Sequence, residues 1–178
     1  MAKKQNHVVK HAAPKVKPSR PRDPVASGER DASVNRTASY NYFLTEKFEC
    51  GVALRGTEVK SVRSGQVQLR DAYALVKDGE LWLLNAHIGH YSHGNIYNHE
   101  PLRTRKLLVH GNELRKLESA TRHKGMTLIP TRMYFRHGRV KCEVAVAKGK
   151  QMWDKRETER RRTDENEAKA AMARSMRR

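Results

Sequence analysis

The sequence predicts a compact β barrel with short helices, flanked by a basic N-terminal arm and a basic C-terminal tail. Two observations predict this fold class. Several short segments alternate apolar and polar side chains between turn signals, whereas only two stretches of the central region have helical spacing. About six strands with two small helices favour a barrel over a helical bundle or a parallel sheet. A single domain of about 110 residues suits a chain of this length.

The first 33 residues are predicted to be a disordered arm. They combine Lys, Arg and Pro with almost no large apolar side chains, so burial cannot offset the entropy lost on ordering. This stretch lacks the apolar run of a signal peptide, and its prolines would break the helix of a transit peptide. The apolar run at residues 81–84 is too short to span a bilayer. We therefore expect a cytoplasmic protein.

The barrel is predicted to occupy residues 34–147. Apolar and polar side chains alternate over residues 40–44 and again over 48–54, which predicts two strand segments or one bent strand. A short helix is expected over residues 56–65, with Thr57 as its cap and a glycine at its end.

Two hairpins and a second helix complete the predicted barrel. The hairpins turn at Asp78-Gly79 and His137-Gly138, since such residues tolerate the positive φ angles of a two-residue turn. The remaining stretches are a loop at residues 87–101, a strand or the approach to a helix at 103–110, and a helix at 112–124.

Residues 148–178 are predicted to be a separate basic tail. They carry eleven Lys or Arg against six Asp or Glu, with Trp153 among the charges. Local helix signals are present, including Asp154 near the start, but the segment lacks an apolar stripe. We therefore predict a tail that is mostly unfolded in the free protein and becomes helical on a binding surface, as an RNA-docking element.

The charge of the chain indicates a polyanionic partner. It has 37 basic and 19 acidic side chains, a net charge of +18. That excess is well above the roughly 2 to 8 that keeps a small domain soluble, so RNA binding with counterion release is expected. Cys50 and Cys142 have no partner at Cys-x-x-Cys spacing, which excludes a cysteine zinc site and suits a reducing compartment.

Other function classes remain open from the residues alone. His87, His90, His93 and His99 crowd one loop beside Glu100, and histidines serve as metal ligands and ribonuclease bases. However, no P-loop, G-x-S-x-G, H-E-x-x-H or dinucleotide motif is present. We therefore expect no enzyme activity, no metal and no cofactor. A constitutive ribosomal protein would share the basic arms and the small barrel.

Four motifs in this chain resemble those of a known family. They are N-R-T-A-S-Y-N-Y-F at residues 35–43, F-E-C-G-V-A-L-R-G-T-E-V-K-S-V-R-S-G at 48–65, R-T-R-K-L-L at 103–108 and V-A-K-G-K-Q-M-W-D-K-R at 146–156. In this order they resemble the SmpB family, the tmRNA-binding proteins of bacterial trans-translation. The resemblance extends from residue 35 to the C-terminus.

The resemblance implies an OB-like β barrel that binds the tRNA-like domain of tmRNA. Such a protein delivers tmRNA, together with elongation factor Tu, to ribosomes stalled on truncated messages. It also implies a tail that enters the vacant mRNA channel beyond the decoding centre and becomes helical there. No catalytic residue is implied, because bond formation belongs to the ribosome.

The resemblance also assigns RNA contacts to individual side chains. The barrel positions are Asn35, Arg36, Tyr40, Glu49, Leu108 and His110, with Arg103, Arg105 and Lys106 nearby. The ribosome-binding tail positions are Lys148, Gly149, Lys150, Trp153, Asp154, Lys155, Arg156 and Met172. Arg and Lys would neutralise phosphates, rings would stack on bases, and Asn would read a base edge or a ribose hydroxyl. Glu49 would either accept from a base amino group or orient an arginine.

Two barrel positions depart from the family pattern. Tyr40 stands where many members have His, and His110 where some have Asn. Both residues keep a planar group that can form hydrogen bonds, so we expect RNA binding to survive. Tyr42, Phe43 and Phe48 are expected to belong to the barrel core.

Overall fold

The computed structural model describes residues 29–175, apart from some side chains of the last helix. Its elements are β1 Arg30–Val34, α1 Arg36–Asn41, β2 Tyr42–Val52, α2 Gly56–Arg63, β3 Val67–Gln68, β4 Tyr73–Lys77, β5 Glu80–Leu84, β6 His87–Ile88, a 3-10 turn Asn95–Tyr97, β7 Arg105–Leu108, α3 Gly111–Thr121, β8 Met126–Arg136, β9 Arg139–Gly149 and α4 Met152–Ser175. The predicted class, mainly β with short helices, is confirmed.

Six antiparallel strands follow one another in a ring. Their order is β8-β4-β5-β7-β2-β9, and β9 pairs with β8 again, while β1 adds to a further stretch of β8. Two of the strand pairings are short. Strand β4 pairs with β8 only through Ala74 opposite Leu128, and β2 pairs with β7 only through Gly51 and Val52. The sheet is therefore an OB-like ring without the even hydrogen bonding of a regular barrel. Strands β3 and β6 form a separate small sheet.

Alternate side chains of the strands fill the interior of the ring. In β5, Leu81 and Leu83 are buried, whereas Glu80, Trp82 and Leu84 are only half-buried. Successive side chains of a strand point to opposite faces, so the alternation seen in the sequence becomes one face turned to the core.

The two cysteines belong to this interior. Cys50 of β2 lies opposite Cys142 of β9, and both are free and fully buried. Burial raises the pKa of the Cys50 thiol to about 12 and raises that of Cys142 as well. Both groups are therefore neutral packing side chains at physiological pH.

Both predicted hairpin turns are confirmed. Asp78 and Gly79 have φ angles of 52° and 71°, and they join β4 to β5. His137 and Gly138 have φ angles of 49° and 73°, and they join β8 to β9. Positive φ at both central residues matches the right-handed twist of the flanking strands.

The strands extend beyond the predicted barrel at both ends. Strand β1 begins at Arg30 and pairs with β8, although the sequence predicts disorder through residue 33. Strand β9 continues to Gly149, past the predicted end at residue 147. Backbone pairing orders both segments, and the apolar pattern does not report such pairing. Residues 1–28, predicted as part of the disordered arm, lie outside the described residues.

Tyr40 lies in a helix, which corrects the prediction of a strand at residues 40–44. Asn35 caps this helix, α1, because its side-chain oxygen accepts from the Ala38 backbone N–H at 3.2 Å. Six residues are too few to show a helical period in the sequence. Strand β2 then runs unbroken but with a register shift between Leu44 and Lys47, which confirms the bent-strand alternative.

Glutamates in the first turns stabilise α2 and α3. The Glu58 carboxylate accepts from the backbone N–H of Arg55, so Arg55 and not Thr57 is the cap of α2. The Glu113 carboxylate accepts from the backbone N–H of His110 in the same way. These contacts satisfy backbone donors that a helix start leaves free.

The tail is helical from Met152 to Ser175, whereas the sequence predicts a mostly unfolded segment. The Asp154 carboxylate accepts from the Gln151 backbone N–H at 3.0 Å and so caps the first turn. This cap and the length of the helix supply order that does not depend on an apolar face. Further ordering on a binding surface stays a prediction. No helix within residues 29–175 is long and apolar enough to cross a membrane.

Candidate nucleic-acid interface

Three of the predicted RNA-binding side chains line one surface groove. They are Glu49 of β2, Leu108 of β7 and His110 at the start of α3, and Arg139 and Lys141 of β9 complete the charged rim. The groove has a volume of about 660 Å³. We call it the Glu49 groove. It brings cations, an exposed apolar side chain and an imidazole together, which is a combination suited to an RNA strand.

The floor of the Glu49 groove is the short pairing between β2 and β7. Gly51 lies opposite Leu108, and a Cβ atom on Gly51 would come within 3.3 Å of the Leu108 Cβ. Leu108 remains 54% exposed, so it is not core, as the sequence predicts. The glycine therefore leaves the space in which Leu108 stands.

Glu49 forms the centre of a cluster of hydrogen bonds and ion pairs. Its carboxylate accepts from the Tyr134 hydroxyl, from Arg136 at 2.8 Å and from Lys141 at 3.2 Å. The Tyr134 hydrogen bond, followed by those of Arg136 and Lys141, lowers the pKa of Glu49 to about 2. Burial and the Glu49 carboxylate raise the pKa of Tyr134. Of the two predicted roles for Glu49, the geometry favours the one that orients cations.

Tyr40 and Arg36 lie at a second place, between the barrel and the tail. We call this place, with Tyr40, Arg36, Lys150 and Glu159, the α1 junction; these residues line a cavity of about 540 Å³. A hydrogen bond with Glu159 raises the pKa of Tyr40, and the Lys155 ammonium lies 5.7 Å from the centre of its ring. Tyr40 therefore contacts the tail helix in the free protein.

Asn35 has a structural role that the sequence analysis did not predict. Its side-chain NH₂ donates to the carbonyl oxygens of Leu69 at 2.9 Å and Pro130 at 3.0 Å, while its oxygen caps α1. Because both amide hydrogens are used and the side chain is buried, it cannot read a base edge in this conformation. The prediction of a direct RNA contact is therefore corrected to one of positioning α1.

Arg105 is likewise an interior residue, which corrects its assignment as a phosphate contact. Its side chain is fully buried, and its Nε donates to Glu58 at 2.9 Å. The other guanidinium nitrogens donate to the carbonyl oxygens of Ala86, Arg103 and Pro101. With every nitrogen engaged, this cation stabilises the fold and is closed to a phosphate.

Two cations near Arg105 reach the surface, Arg103 just before β7 and Lys106 within it. Arg103 donates to Glu58 at 2.6 Å with 23% of its side chain exposed. Lys106 pairs with Glu80, and its side chain is 40% exposed. Burial opposes a charged Glu58, but hydrogen bonds from Arg103, from the Arg55 backbone and from Arg105 keep the pKa of this carboxyl below its usual value.

The base of the tail is attached to the barrel through Lys150. Its backbone N–H donates to Asn41 and its ammonium to the Ser39 carbonyl at 2.9 Å, above the Phe43 ring. The other predicted tail residues divide between elements. Lys148 and Gly149 end β9, whereas Trp153, Asp154, Lys155, Arg156 and Met172 lie on α4. Trp153 and Met172 are each 65% exposed.

The prediction of core aromatics is wrong for one residue. Phe48 is buried and Tyr42 half-buried, but Phe43 is 46% exposed, with the Lys150 ammonium 4.9 Å from its ring centre. Phe43 precedes the bulge of β2 and stands on its outer face. Sequence reasoning also missed Arg139 and Lys141, whose outward positions in the alternating β9 pattern were the available signal.

The histidine loop is organised around a buried residue. His99 is 2% exposed, with Nδ1 3.0 Å from the Thr57 hydroxyl and Nε2 3.1 Å from the Ile88 carbonyl oxygen. His93 has its Nδ1 2.9 Å from the Ser92 hydroxyl. In the part of the chain that the structure describes, no three His, Cys, Asp or Glu side chains are grouped as a metal site.

Comparison with known proteins places this geometry in a family. Residues 32–174 match the family model described as SmpB protein. An "SsrA-binding protein" of Koribacter versatilis (strain Ellin345) is 68% identical over 154 residues, which cover 86% of this chain and 88% of the relative. An "SsrA-binding protein" of Trichodesmium erythraeum (strain IMS101) is 51% identical over 150 residues, covering 84% and 94%.

A solved structure agrees with these relatives. It is described as "tmRNA-SmpB: a journey to the center of the bacterial ribosome", and its matching chain is 43% identical with a TM-score of 0.59. The match covers 67% of this chain and 85% of the other. On the strength of the family match and of these identities, the chain belongs to the SmpB family.

Proposed function

We propose that this protein binds the tRNA-like domain of tmRNA and carries it to stalled ribosomes in trans-translation. The relatives are SsrA-binding proteins, and the matching solved structure is of tmRNA with SmpB on the ribosome. The observation that supports the proposal most directly is the Glu49 groove, where Leu108, His110, Arg139 and Lys141 line one open concavity.

Each group of the Glu49 groove has a role toward RNA. Arg139 and Lys141 neutralise phosphates, and the exposed Leu108 packs against a base or ribose. Glu49 holds Lys141 and Arg136 in place, since its low pKa keeps it charged throughout the physiological range. Arg36 and Tyr40 add a second contact at the α1 junction, and the surface cations Arg103 and Lys106 extend the footprint.

The tail acts on the ribosome in this proposal. Lys150, Lys155 and Arg156 contact rRNA phosphates, and Trp153 offers an exposed ring for stacking on a base near the decoding centre. Helix α4 then lies in the vacant mRNA channel, with the exposed Met172 as an apolar contact near its end. Elongation factor Tu accompanies the complex during delivery.

A truncated chain tests the division between barrel and tail. Ending the chain after Gln151 removes α4 but keeps β9 and the Lys150 contacts with α1. This variant should bind tmRNA with nearly the affinity of the full chain and should fail to support peptide tagging on stalled ribosomes. Affinity is measured against bulk transfer RNA as competitor at physiological salt. An intact chain that showed no preference for tmRNA over transfer RNA would overturn the proposal.

A further inference from the structure

A second groove lies at the other end of α3. Its rim carries Lys116, His123, Lys124 and Lys148, and its lining contains a single carboxylate, that of Glu46. The groove has a volume of about 710 Å³. We call it the lysine groove. Of the positions predicted to bind RNA, Lys148 of the ribosome-binding tail set contributes to its lining, and none of the barrel set does.

The bulge of β2 builds the lysine groove. The pairing of β2 with β9 shifts register between Leu44 and Lys47, so Thr45 and Glu46 leave the regular ladder. The Thr45 hydroxyl replaces a lost backbone bond by donating to the Val146 carbonyl at 3.1 Å. The opening between this bulge and the last turns of α3 is therefore a stable feature of the fold.

The lysines of this groove differ from Lys106 and Lys141 in their partners. Lys106 and Lys141 each pair with a glutamate, so part of their charge is already compensated. Among residues 29–175, the ammonium groups of Lys116, Lys124 and Lys148 have no ion-pair partner. Three uncompensated cations around one concavity attract an anion that can contact several of them at once.

A purely structural role accounts for only part of this cluster. Cations near the C-terminus of a helix interact favourably with its dipole, which suits His123 and Lys124 after the end of α3. Lys116 lies in the middle of that helix and Lys148 lies on β9, where the dipole gives them no such role.

We propose that the lysine groove binds the phosphodiester backbone of tmRNA, as a continuation of the contact made in the Glu49 groove. Helix α3 connects the two places, since Glu113 lines the Glu49 groove and Ala120 lines the lysine groove. Their seven-residue separation corresponds to about 10 Å along a helix. This inference rests on the proposed function and adds Lys116, His123 and Lys124 to its RNA-contacting residues.

The test is the salt dependence of binding by the full chain. Labelled tRNA-like domain of tmRNA is titrated with the double variant Lys116→Gln, Lys124→Gln at several KCl concentrations. The slope of log K against log salt is negative, and each lost phosphate contact makes it shallower by about 1. For the double variant, a slope shallower by about 2 is therefore expected. Affinity near 0.1 M salt should fall by about tenfold. The matched control is Lys60→Gln, Lys77→Gln, which removes the same charge from exposed lysines outside both grooves.

The outcomes separate the alternatives. A smaller slope in the first double variant only, with an unchanged urea unfolding midpoint, supports the proposal. An unchanged slope, or equal changes in both double variants, overturns it. A loss of binding that affects only the ribosome, or only an acidic protein partner, also overturns it. If the unaltered chain does not prefer tmRNA to transfer RNA, the proposed function fails. If that preference holds but the first double variant keeps the slope of the unaltered chain, only the proposal for the lysine groove fails.

Discussion

Replacing Glu58 by Gln is expected to destabilise the fold severely. The Glu58 side chain is fully buried, and its two carboxylate oxygens accept from Arg103, from Arg105 and from the Arg55 backbone. A glutamine offers one acceptor oxygen and turns an NH₂ toward guanidinium donors. It also leaves Arg105 buried without its counter-ion, and breaking a buried pair in this way costs about 3–5 kcal/mol.

Urea unfolding followed by circular dichroism measures this loss. With a denaturant dependence of about 2 kcal/mol per molar urea, the midpoint should fall by about 2 M. Glu118→Gln is the matched control, because Glu118 pairs with Arg122 one helical turn away and both side chains are exposed, at 47% and 76%. An exposed pair of this kind contributes about 0.3–0.5 kcal/mol, so its midpoint should barely move.

The pH dependence gives a second check on Glu58. Its pKa is lowered in the folded protein, so its contribution is complete above the unfolded value of about 4.3 and is lost as pH falls through the folded pKa. The difference between wild type and Glu58→Gln should therefore be full at pH 7 and shrink in acid below about pH 4. Midpoints that fall equally and slightly in the Glu58 and Glu118 variants would refute the reasoning.

Further predictions concern the binding residues and caps. Trp153→Ala should leave tmRNA affinity nearly intact and lower peptide tagging on stalled ribosomes; equal loss in both assays would contradict the division between barrel and tail. Gly51→Val should displace Leu108 and weaken tmRNA binding several-fold in a filter assay, with the unfolding midpoint as its control. Asn35→Ala should cost about 1–2 kcal/mol of stability in urea, since it uncaps α1 and removes the side-chain donors to the carbonyl oxygens of Leu69 and Pro130. Because the pKa of Glu49 is about 2, its ion pairs contribute fully above about pH 4.5 and are lost as pH falls toward 2. In Glu49→Gln, the urea unfolding midpoint should therefore depend less on pH over that range than in the wild type.

Local chemistry decided what could be predicted of the fold. The Asp78-Gly79 and His137-Gly138 turns were predictable because the residues of a two-residue turn must themselves adopt positive φ. The alternation in β9 was predictable because its buried and exposed faces are set by a period of two. Each of these signals lies within a few neighbouring residues.

Features that depend on distant partners were not predictable in the same way. Strand β1 is ordered by β8, which lies about a hundred residues further along the chain. The interior position of Asn35 depends on the carbonyls of Leu69 and Pro130. In each case the sequence identifies the residue type but not the partner.

The candidate site shows the same division within a single motif. Residues 103–108, R-T-R-K-L-L, look like one basic RNA-binding segment, yet the strand period separates their roles. Arg105 and Leu107 face the interior, while Lys106 and Leu108 face outward. A match to the motif treats Arg105 and Lys106 alike because it records residue types, not directions. The geometry makes Arg105 a buried residue of the fold and Lys106 a surface cation, so we predict that substitution of Arg105 lowers stability and substitution of Lys106 lowers RNA affinity.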